Sequence, residues 1–451
     1  MTSASARRLR LTIVAASCAA ASTAWLSAVA PPPVKFSDTT LKNGLRVIVA
    51  EDHTAPVFSL AIVYNVGSRD ERSGRTGFAH LFEHMMFKGS ENVGAGEHFY
   101  TVFSNGGQMN GTTNKERTLY YETMPANQLE AAMFLEADRM RSLAIVRENL
   151  DNQRNAVQEE RRQSVDNQAY GRTYEAVDDL AFDNPAYKHS VIGSMADLTA
   201  ASVDDVASFF KTYYAPNNAI VAIVGDVSGP RVPELARKYF EPIPQQPSPP
   251  RVDVIQPPQN GERRLALSDA LARLPRLDIS YRIPSTLSPD DDAISVLQLL
   301  LTGGRSSRFY EGIVHQKQLA VSVGASTGDS RGPRLLHIVA TPTPGKTVEE
   351  VEAAVYVEIE RLKAEPIAPW EMEKAQHAAE RQFVGRLQSS LSRAVQLAED
   401  ALYFDKPGEI NTEWERIDKV TAADVQRVAK EYLTPENRSV IVTRPMARGG
   451  M

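Results

Sequence analysis

The chain has 451 residues, of which 42% are hydrophobic and 24% are charged, with a formal net charge of −6. This composition is typical of a globular protein, and the length favours two or three domains. Lysine and arginine do not cluster into a basic stripe, so we expect no nucleic acid among the partners. Cys18 is the only cysteine, so a metal site would have to use His, Asp and Glu.

Residues 1–30 have the pattern of a signal peptide or N-terminal leader. Three arginines come first, and an uncharged run of small and apolar residues follows, ending in AVA. This pattern predicts an exported protein, periplasmic or secreted. Pro31 disfavours cleavage directly before it, so earlier cleavage and retention of the leader as a membrane anchor both stay open. The alternatives are a mitochondrial presequence, although the arginines are bunched at one end, and a lipid-modified Cys18.

The rest of the chain divides into two parts of similar length. Two valine- and isoleucine-rich runs within residues 45–68 predict two strands separated by a turn, and residues 218–227 predict a further buried strand. A proline-rich stretch between them and the second part can be neither a helix nor a central strand, so it predicts a linker. The predicted boundaries are 34–242 for the N-terminal half, 243–262 for the linker and 263–446 for the C-terminal half.

The two halves share a sequence signature. Residues 202–223 align without gaps with residues 421–442, and six residues are identical at a constant offset of 219. Each copy has the pattern of a capped amphipathic helix, a proline-containing turn and a strand. Such units can resemble one another by chance, but the shared proline and asparagine in the turn favour duplication of one α/β unit. The identical pairs are Asp205/Asp424, Val206/Val425, Tyr213/Tyr432, Pro216/Pro435, Asn218/Asn437 and Val221/Val440.

Residues 80–84, HLFEH, place three titratable side chains in an otherwise apolar segment. On a helix, His80 and His84 lie one turn apart on the same face, with Glu83 beside them. Unpaired in an apolar helix, each group would cost about 1–3 kcal/mol, and a metal ion would remove that cost. Two histidines hydrogen-bonded to the backbone are the alternative, but the complete H-x-x-E-H pattern favours a zinc site.

A catalytic zinc also needs a third protein ligand and one open position. Residues 149–168 have helical character, and a periodic stripe runs through them that ends at Glu160. We therefore predict that Glu160 faces the metal, whereas Glu159, Arg161 and Arg162 form a solvated face. The members of the stripe are Val146, Leu150, Gln153, Val157 and Glu160.

H-x-x-E-H is the inverted zincin motif, and Glu160 follows in the run QRNAVQEERR. The further motifs GGQMNGTTNKERTLYY, YYAPNNAIVAIVGD and GGRSSRFY occur in the expected order. The chain thus resembles the pitrilysin, or insulinase, family of zinc metallopeptidases, and within it the half-size bacterial members similar to processing peptidases. This resemblance implies an α+β fold of two homologous halves, each a mainly antiparallel sheet with helices packed on one face.

The resemblance also implies a role for each matching residue. His80, His84 and Glu160 would hold one Zn²⁺ per chain, and Glu83 would be the general base that activates water for attack on the peptide carbonyl. Asn110 would hydrogen-bond the substrate backbone, although asparagine in the sequence GGQMNG also suits a turn. The substrates would be peptides or unfolded small proteins, bound as an extra strand on a sheet edge.

Two departures from the family pattern affect the catalytic equipment. Gln153 stands near the ligand where many relatives carry a glutamate, so it keeps a polar group without the charge. Val314 and Val321 stand where catalytic relatives carry an arginine and a tyrosine that polarise the substrate carbonyl. We therefore predict a heterodimer with a zinc-less homologous subunit that supplies these groups, or else a homodimer.

Three functions remain open at this point. The first is an exported zinc metalloendopeptidase. The second is a processing peptidase that removes targeting presequences, which shares the chemistry but not the compartment. The third is a non-catalytic scaffold or binding subunit, although all the residues of the metal motif are present.

Overall fold

The computed structural model of the protein describes residues 32–446, so the predicted leader lies outside the described residues. The chain from Lys35 onward belongs to one unit, which contains both predicted halves. Within the described part of the chain, no helix is both long enough and apolar enough to cross a membrane.

The strands of residues 32–446 form two sheets of similar topology. The first sheet has the order β1-β2-β6-β3-β5-β4, and the second has the order β7-β11-β8-β10-β9. Only β2/β6 and β7/β11 pair in parallel, so both described sheets are mainly antiparallel, as predicted. The strands are β1 (Ser37–Thr40), β2 (Arg46–Glu51), β3 (Val57–Tyr64), β4 (Gln108–Thr113), β5 (Thr118–Pro125), β6 (Ala219–Gly225), β7 (Arg263–Asp269), β8 (Arg276–Ile283), β9 (Ala320–Thr327), β10 (Arg334–Pro342) and β11 (Arg438–Pro445).

The helices fill the intervals between these strands. Those of the first half are α1 (Phe78–Met85), α2 (Glu97–Ser104), α3 (Leu129–Ser142), α4 (Arg147–Arg161), α5 (Gly171–Ala181), α6 (Met195–Ala200), α7 (Val203–Tyr213) and α8 (Arg231–Tyr239). Those of the second half are α9 (Asp291–Thr302), α10 (Val348–Ala364), α11 (Pro369–Arg386), α12 (Ser390–Phe404), α13 (Glu413–Asp418) and α14 (Ala422–Tyr432).

The duplicated signature forms the same local structure twice. α7 and α14 each begin with a capping box, in which Ser202 or Thr421 accepts a hydrogen bond from the backbone of the aspartate three residues later. Each helix is followed by a 3₁₀ turn that starts at the shared proline, and then by β6 or β11. The predicted α+β fold with two homologous halves is therefore confirmed.

Both faces of the first sheet are covered. Alternate residues of β3 from Phe58 to Tyr64 belong to the core formed with the helices of the first half. The residues between them face the other way, because side chains alternate along a strand. There α12, from the second half, lies against β3, and the Ser390 hydroxyl is 2.9 Å from that of Ser59.

The second sheet receives a helix in return. α5, from the first half, contacts β7, β8 and β11, and Val177 and Ala181 cluster with Ile441 of β11. Thr173 and Thr443 also lie within hydrogen-bonding distance, with their hydroxyls 2.7 Å apart. Each half therefore stabilises the sheet of the other half.

The predicted linker has no regular secondary structure between residues 244 and 262. Side chains of the first half nevertheless bind its backbone. Asn184 donates to the carbonyls of Asp253 and Ile255, at 2.8 and 3.0 Å, and Asn217 donates to that of Gln246 at 2.8 Å. These hydrogen bonds hold the stretch against the first half, where proline-rich sequence alone predicts only a spacer.

Candidate active site

The HLFEH segment lies on α1, which follows β3 in the first half. Phe78, Leu81, Phe82 and Met85 are buried in the first core and hold one face of the helix. The helix begins after Gly77, which has a φ of 87° and leaves no room for a side chain because a Cβ there would lie 2.6 Å from the carbonyl oxygen of Ile192. Apolar packing and a glycine cap thus fix the position of the motif.

His80 and His84 lie on the other face of α1, one turn apart, with their ring centroids separated by 4.8 Å. The Nε2 atom of His80 is 3.7 Å from one carboxylate oxygen of Glu160, and that of His84 is 3.3 Å from the other. The three predicted ligands therefore meet at one point, although Glu160 lies about 75 residues further along the chain.

Glu160 reaches this point from the last turn of α4. Leu150, Gln153 and Val157 of the predicted stripe are buried, and they hold the helix against the core. Val146 is 48% exposed, because the helix starts only at the residue after it. The Glu160 side chain is 44% exposed, so this side of the cluster is open to solvent.

The electrostatics of the cluster suit a cation. Burial, with a smaller effect from His84, lowers the pKa of His80 to about 4, so its imidazole is neutral at pH 7. The hydrogen bond with His84 lowers the pKa of Glu160, which is therefore ionised. The buried Nδ1 atom of His80 has no hydrogen-bond partner. Two imidazole nitrogens and one carboxylate form the donor set that zinc prefers, so the residues fit the metal.

Glu83 lies beside the cluster, between α1 and the edge strand β4. It is 9% exposed, and burial raises its pKa. The Thr113 hydroxyl donates to a Glu83 carboxylate oxygen at 2.6 Å and opposes part of that rise. A Cβ on Gly111 would lie 3.0 Å from both Cγ and Oε1 of Glu83, so glycine makes room for the carboxylate.

Neither Thr113 nor Gly111 was among the site residues predicted from the sequence. The alternation of a strand could have indicated them, because residues 111 and 113 point to the same side of β4. That indication required knowing that the segment GGQMNGTT forms a strand against the motif helix rather than a turn.

Asn110 lies on β4, which is an edge of the six-stranded sheet. Its side chain is exposed, and the side-chain oxygen Oδ1 accepts a hydrogen bond from the backbone N–H of Gly111 at 2.9 Å. The amide nitrogen of Asn110 therefore remains as a donor toward solvent beside the edge.

Gln153 is buried on α4, two turns before Glu160. Its amide nitrogen donates to the side chain of Asn152. The structure thus uses Gln153 in a local contact on its own helix, and a role toward the metal stays a prediction.

The second half contains the two valines singled out in the sequence, and its helix α9 lacks the H-x-x-E-H residues. Val314 lies half-buried in a π-helical segment, Tyr310–Gln316, and Val321 lies 51% exposed on the edge strand β9. Neither valine can donate a hydrogen bond. α9 carries no histidine and is largely buried in the second core.

A duplicated α+β fold, with H-x-x-E-H on the first helix after β3 and a carboxylate returning from a later helix, defines the class of M16-type peptidase chains. Family models agree with this class. Residues 46–194 match the model described as insulinase, peptidase family M16, and residues 200–379 match the M16 inactive domain. The chain belongs to the M16, or insulinase, peptidase family.

Curated relatives carry the name zinc protease. The chain is 29% identical over 414 residues to the zinc protease PqqE of Helicobacter pylori, a match that covers 91% of this chain and 93% of the relative. It is 28% identical over 400 residues to an uncharacterized zinc protease of Mycobacterium leprae, with 88% of each chain covered. Among solved structures, a protease from Helicobacter pylori matches with a TM-score of 0.87 at 29% identity, over 91% of this chain and 100% of the other.

Proposed function

We propose that the protein is a zinc metalloendopeptidase that hydrolyses peptide bonds in peptides or unfolded small proteins. The observation that carries the proposal is the convergence of His80, His84 and Glu160, with facing atoms 3.3 and 3.7 Å apart, beside the buried carboxylate of Glu83. The names of the relatives support a zinc protease, and they leave the substrate open.

Each residue of the site has a separate task in this proposal. A zinc ion, when bound, supplies a Lewis acid for the peptide carbonyl and brings the pKa of water toward ~7. Glu83 accepts a proton from the attacking water and delivers it to the leaving amine. Thr113 holds the Glu83 carboxylate in position through its hydrogen bond. Raising the pKa of Glu83 by burial makes this carboxylate a better base near neutral pH.

The edge strand β4 provides the place for the substrate. Its free edge can pair with an extended peptide by backbone hydrogen bonds, which give affinity with little sequence selectivity. The exposed amide of Asn110 lies on this strand, one residue from Gly111 and so close to Glu83. A peptide bound there would run past the proposed metal ligands.

Glu83→Gln tests the assigned base. The substitution keeps the shape of the side chain but removes its basicity, so we expect zinc content to be unchanged and kcat to fall about 10²–10⁴-fold. Glu159→Gln, an exposed neighbour of the proposed ligand, is the matched control and should retain both. Unchanged turnover in Glu83→Gln would reject the mechanism.

We also propose that a zinc-less homologous subunit completes the site, because Val314 and Val321 cannot polarise a carbonyl. Peptide digestion by the purified chain, with and without such a homologue from the same genome, tests this arrangement. Strong stimulation by the homologue supports a heterodimer. Full activity of the chain alone, together with a dimeric mass in light scattering, supports a homodimer instead.

The leader pattern supports export as the third part of the proposal. The mature N-terminus, determined by mass spectrometry of protein from fractionated cells, tests both the compartment and the cleavage. A chain that starts near residues 19–31 in the periplasmic or secreted fraction agrees with export. Recovery of the chain in an organellar or cytosolic fraction would contradict export.

A further inference from the structure

A second cluster of candidate ligands lies inside the first half, away from the motif helix. His98 on α2, Glu122 on β5 and Glu136 on α3 are each at most 3% exposed. The Nε2 atom of His98 is 3.6 Å from a carboxylate oxygen of Glu122 and 4.0 Å from one of Glu136. The three ligand atoms all lie within 4.8 Å of one another. Three separate elements therefore direct one His and two Glu to a single buried point.

These side chains are left without the partners that buried polar groups normally have. Nε2 of His98 and both carboxylate oxygens of Glu122 form no hydrogen bond, although they are fully shielded from solvent. Such groups cost about 1–3 kcal/mol each when they are unpaired. Three unpaired atoms that face one another indicate a missing ligand rather than three separate defects.

The arginine at the cluster is hydrogen-bonded to only one of the two carboxylates. Arg139 binds both oxygens of Glu136, and its guanidinium lies over the rings of Phe87 and Tyr120, at 5.1 and 4.4 Å from their centroids. This arrangement holds Arg139 toward Glu136 and the aromatic rings. Glu122 receives only the more distant electrostatic effect of Arg139 and has no hydrogen bond of its own.

A proton satisfies the cluster less well than a metal ion does. One proton shared between His98 and Glu122 joins a single donor to a single acceptor, so it would leave at least one of the three unpaired atoms without a partner. A metal ion can accept lone pairs from all three residues at once. Burial lowers the pKa of His98 to about 3, so its imidazole is neutral and available as a ligand.

We propose that His98, Glu122 and Glu136 form a second metal site, distinct from the proposed catalytic one, that binds a divalent transition metal such as Zn²⁺ or Mn²⁺. Imidazole together with carboxylates suits these ions, and small inward movements of the side chains would bring them to bonding distance. The site is closed to substrate because its ligands are buried, so its role is structural. The ion would tie α2 and α3 to β5, next to the edge strand β4.

Metal analysis of the full chain tests the site independently of the peptidase proposal. His80→Ala/His84→Ala removes two proposed catalytic ligands, so we expect this variant to retain about one metal ion per chain after loading with Zn²⁺ or Mn²⁺ and dialysis. Adding Glu122→Gln should reduce the content to zero, whereas Glu148→Gln, an exposed control on α4, should leave it at one. Absence of metal in His80→Ala/His84→Ala would overturn the proposal and leave a buried proton or water at the cluster.

Thermal stability gives a second readout from the same variants. If an ion is bound, Glu122→Gln removes a ligand and should lower the melting temperature, and chelation should abolish the difference from the parent. Without an ion, the same substitution removes a buried carboxylate that forms no hydrogen bond, so the melting temperature should stay equal or rise and a chelator should not change the difference. An equal or higher melting temperature would therefore overturn the proposal. Anomalous diffraction from crystals of the unmodified chain should show a peak between His98 and Glu122, and its absence would also overturn it.

Discussion

The two halves share a scaffold but differ in chemistry. In the first half, Glu83 of α1 lies against Gly111 of the edge strand β4. In the second half, Gln298 of α9 donates to the carbonyl of Ala325 on the edge strand β9, at 2.8 Å. Gly111 and Ala325 occupy equivalent positions in the two sheets. In each sheet, residues that pair directly across four neighbouring strands form a row, and these two residues are the last of the corresponding rows. The rows are Val221, Ile62, Tyr120 and Gly111 in the first sheet, and Val440, Ile279, Ile338 and Ala325 in the second.

This comparison shows that the fold and the site depend on different residues. The duplicated helix, turn and strand preserve the sheet, whereas the proposed metal site depends on a few side chains of two helices, α1 and α4, beside one edge strand. The family model that matches residues 200–379 is described as an inactive domain, which agrees with the absence of the H-x-x-E-H residues from α9. A helix face that carries two histidines and a glutamate in one copy, and Ser295 and Gln298 in the other, can therefore be accommodated on the same scaffold.

The proposed metal ligands all lie in the first half, and the largest effect is expected from removing one of them. Glu160→Ala removes the only proposed ligand that comes from outside α1, so zinc content should fall well below one per chain. Activity should fall more than about 100-fold, the upper range for disturbing the partners of metal ligands. Glu159→Ala changes an exposed neighbour and should retain zinc and activity. Equal losses in the two variants, measured by metal analysis and peptide hydrolysis, would contradict the assignment of Glu160.

The next prediction concerns the asparagine that ends the 3₁₀ turn in each half. Asn218 donates to the carbonyls of Asn65 and Tyr213, at 3.2 and 2.8 Å. Asn437 donates to those of Arg282 and Tyr432, at 2.8 and 2.7 Å. Either Asn→Ala substitution removes the side-chain hydrogen bonds to two backbone carbonyls, which should cost about 0.5–1.5 kcal/mol for each bond.

Both substitutions should therefore lower the melting temperature by similar amounts, as measured by calorimetry. Glu436→Ala, which changes an exposed residue of the second turn, is the control and should have little effect. A large loss from only one of the two asparagine variants would show that the halves do not share this anchor.

The duplicated unit could be predicted from the sequence because its residues act locally. Proline, asparagine and a capping aspartate determine a turn and a helix start within a few residues, so identities at a fixed offset are informative. The convergence of the three proposed ligands could be predicted for a similar reason, since helical periodicity places His80 near His84 and singles out Glu160. Asn110 could be assigned to the site only through the resemblance to a family.

Other features could not be predicted because they depend on contacts between distant segments. Nothing in the sequence of α12 indicates that Ser390 meets Ser59 of the other half. The cluster of His98, Glu122 and Glu136 has no regular spacing, because its members come from two helices and a strand. Periodicity within one element cannot reveal such a site.

A smaller effect is expected from replacing Gly111 with alanine, which is the residue at the equivalent position of the second half, Ala325. Gly111→Ala places a methyl group 3.0 Å from Cγ and Oε1 of Glu83, so the carboxylate must move by a few tenths of an ångström. A displacement of this size should lower kcat about 10-fold while zinc content is unchanged, because misplacement by 1 Å can cost 10²-fold. Gly324→Ala on β9 is the control, since an added methyl there meets no atom within 4 Å. Loss of zinc in Gly111→Ala would show that the strand positions the metal ligands as well as the base.

The smallest effect is expected from replacing Thr113, which affects the proposed base, Glu83, through a single hydrogen bond. Thr113→Val keeps the shape of the side chain but removes the hydrogen bond that lowers the pKa of Glu83, so that pKa should rise further. A base with a higher pKa is protonated over a wider range, so activity should be lost at a higher pH as the solution is acidified. At neutral pH the rate should fall about two- to fivefold, which corresponds to about 0.5–1 kcal/mol, the lower part of the range for one net hydrogen bond. Thr112→Val on the same strand keeps the Thr113 hydrogen bond and removes one contact of Arg117, whose charge has a smaller effect on the pKa of Glu83, so its pH–rate profile should shift less than that of Thr113→Val. An acid limb that stays in place in Thr113→Val would show that Glu83 is not the group whose protonation limits the rate.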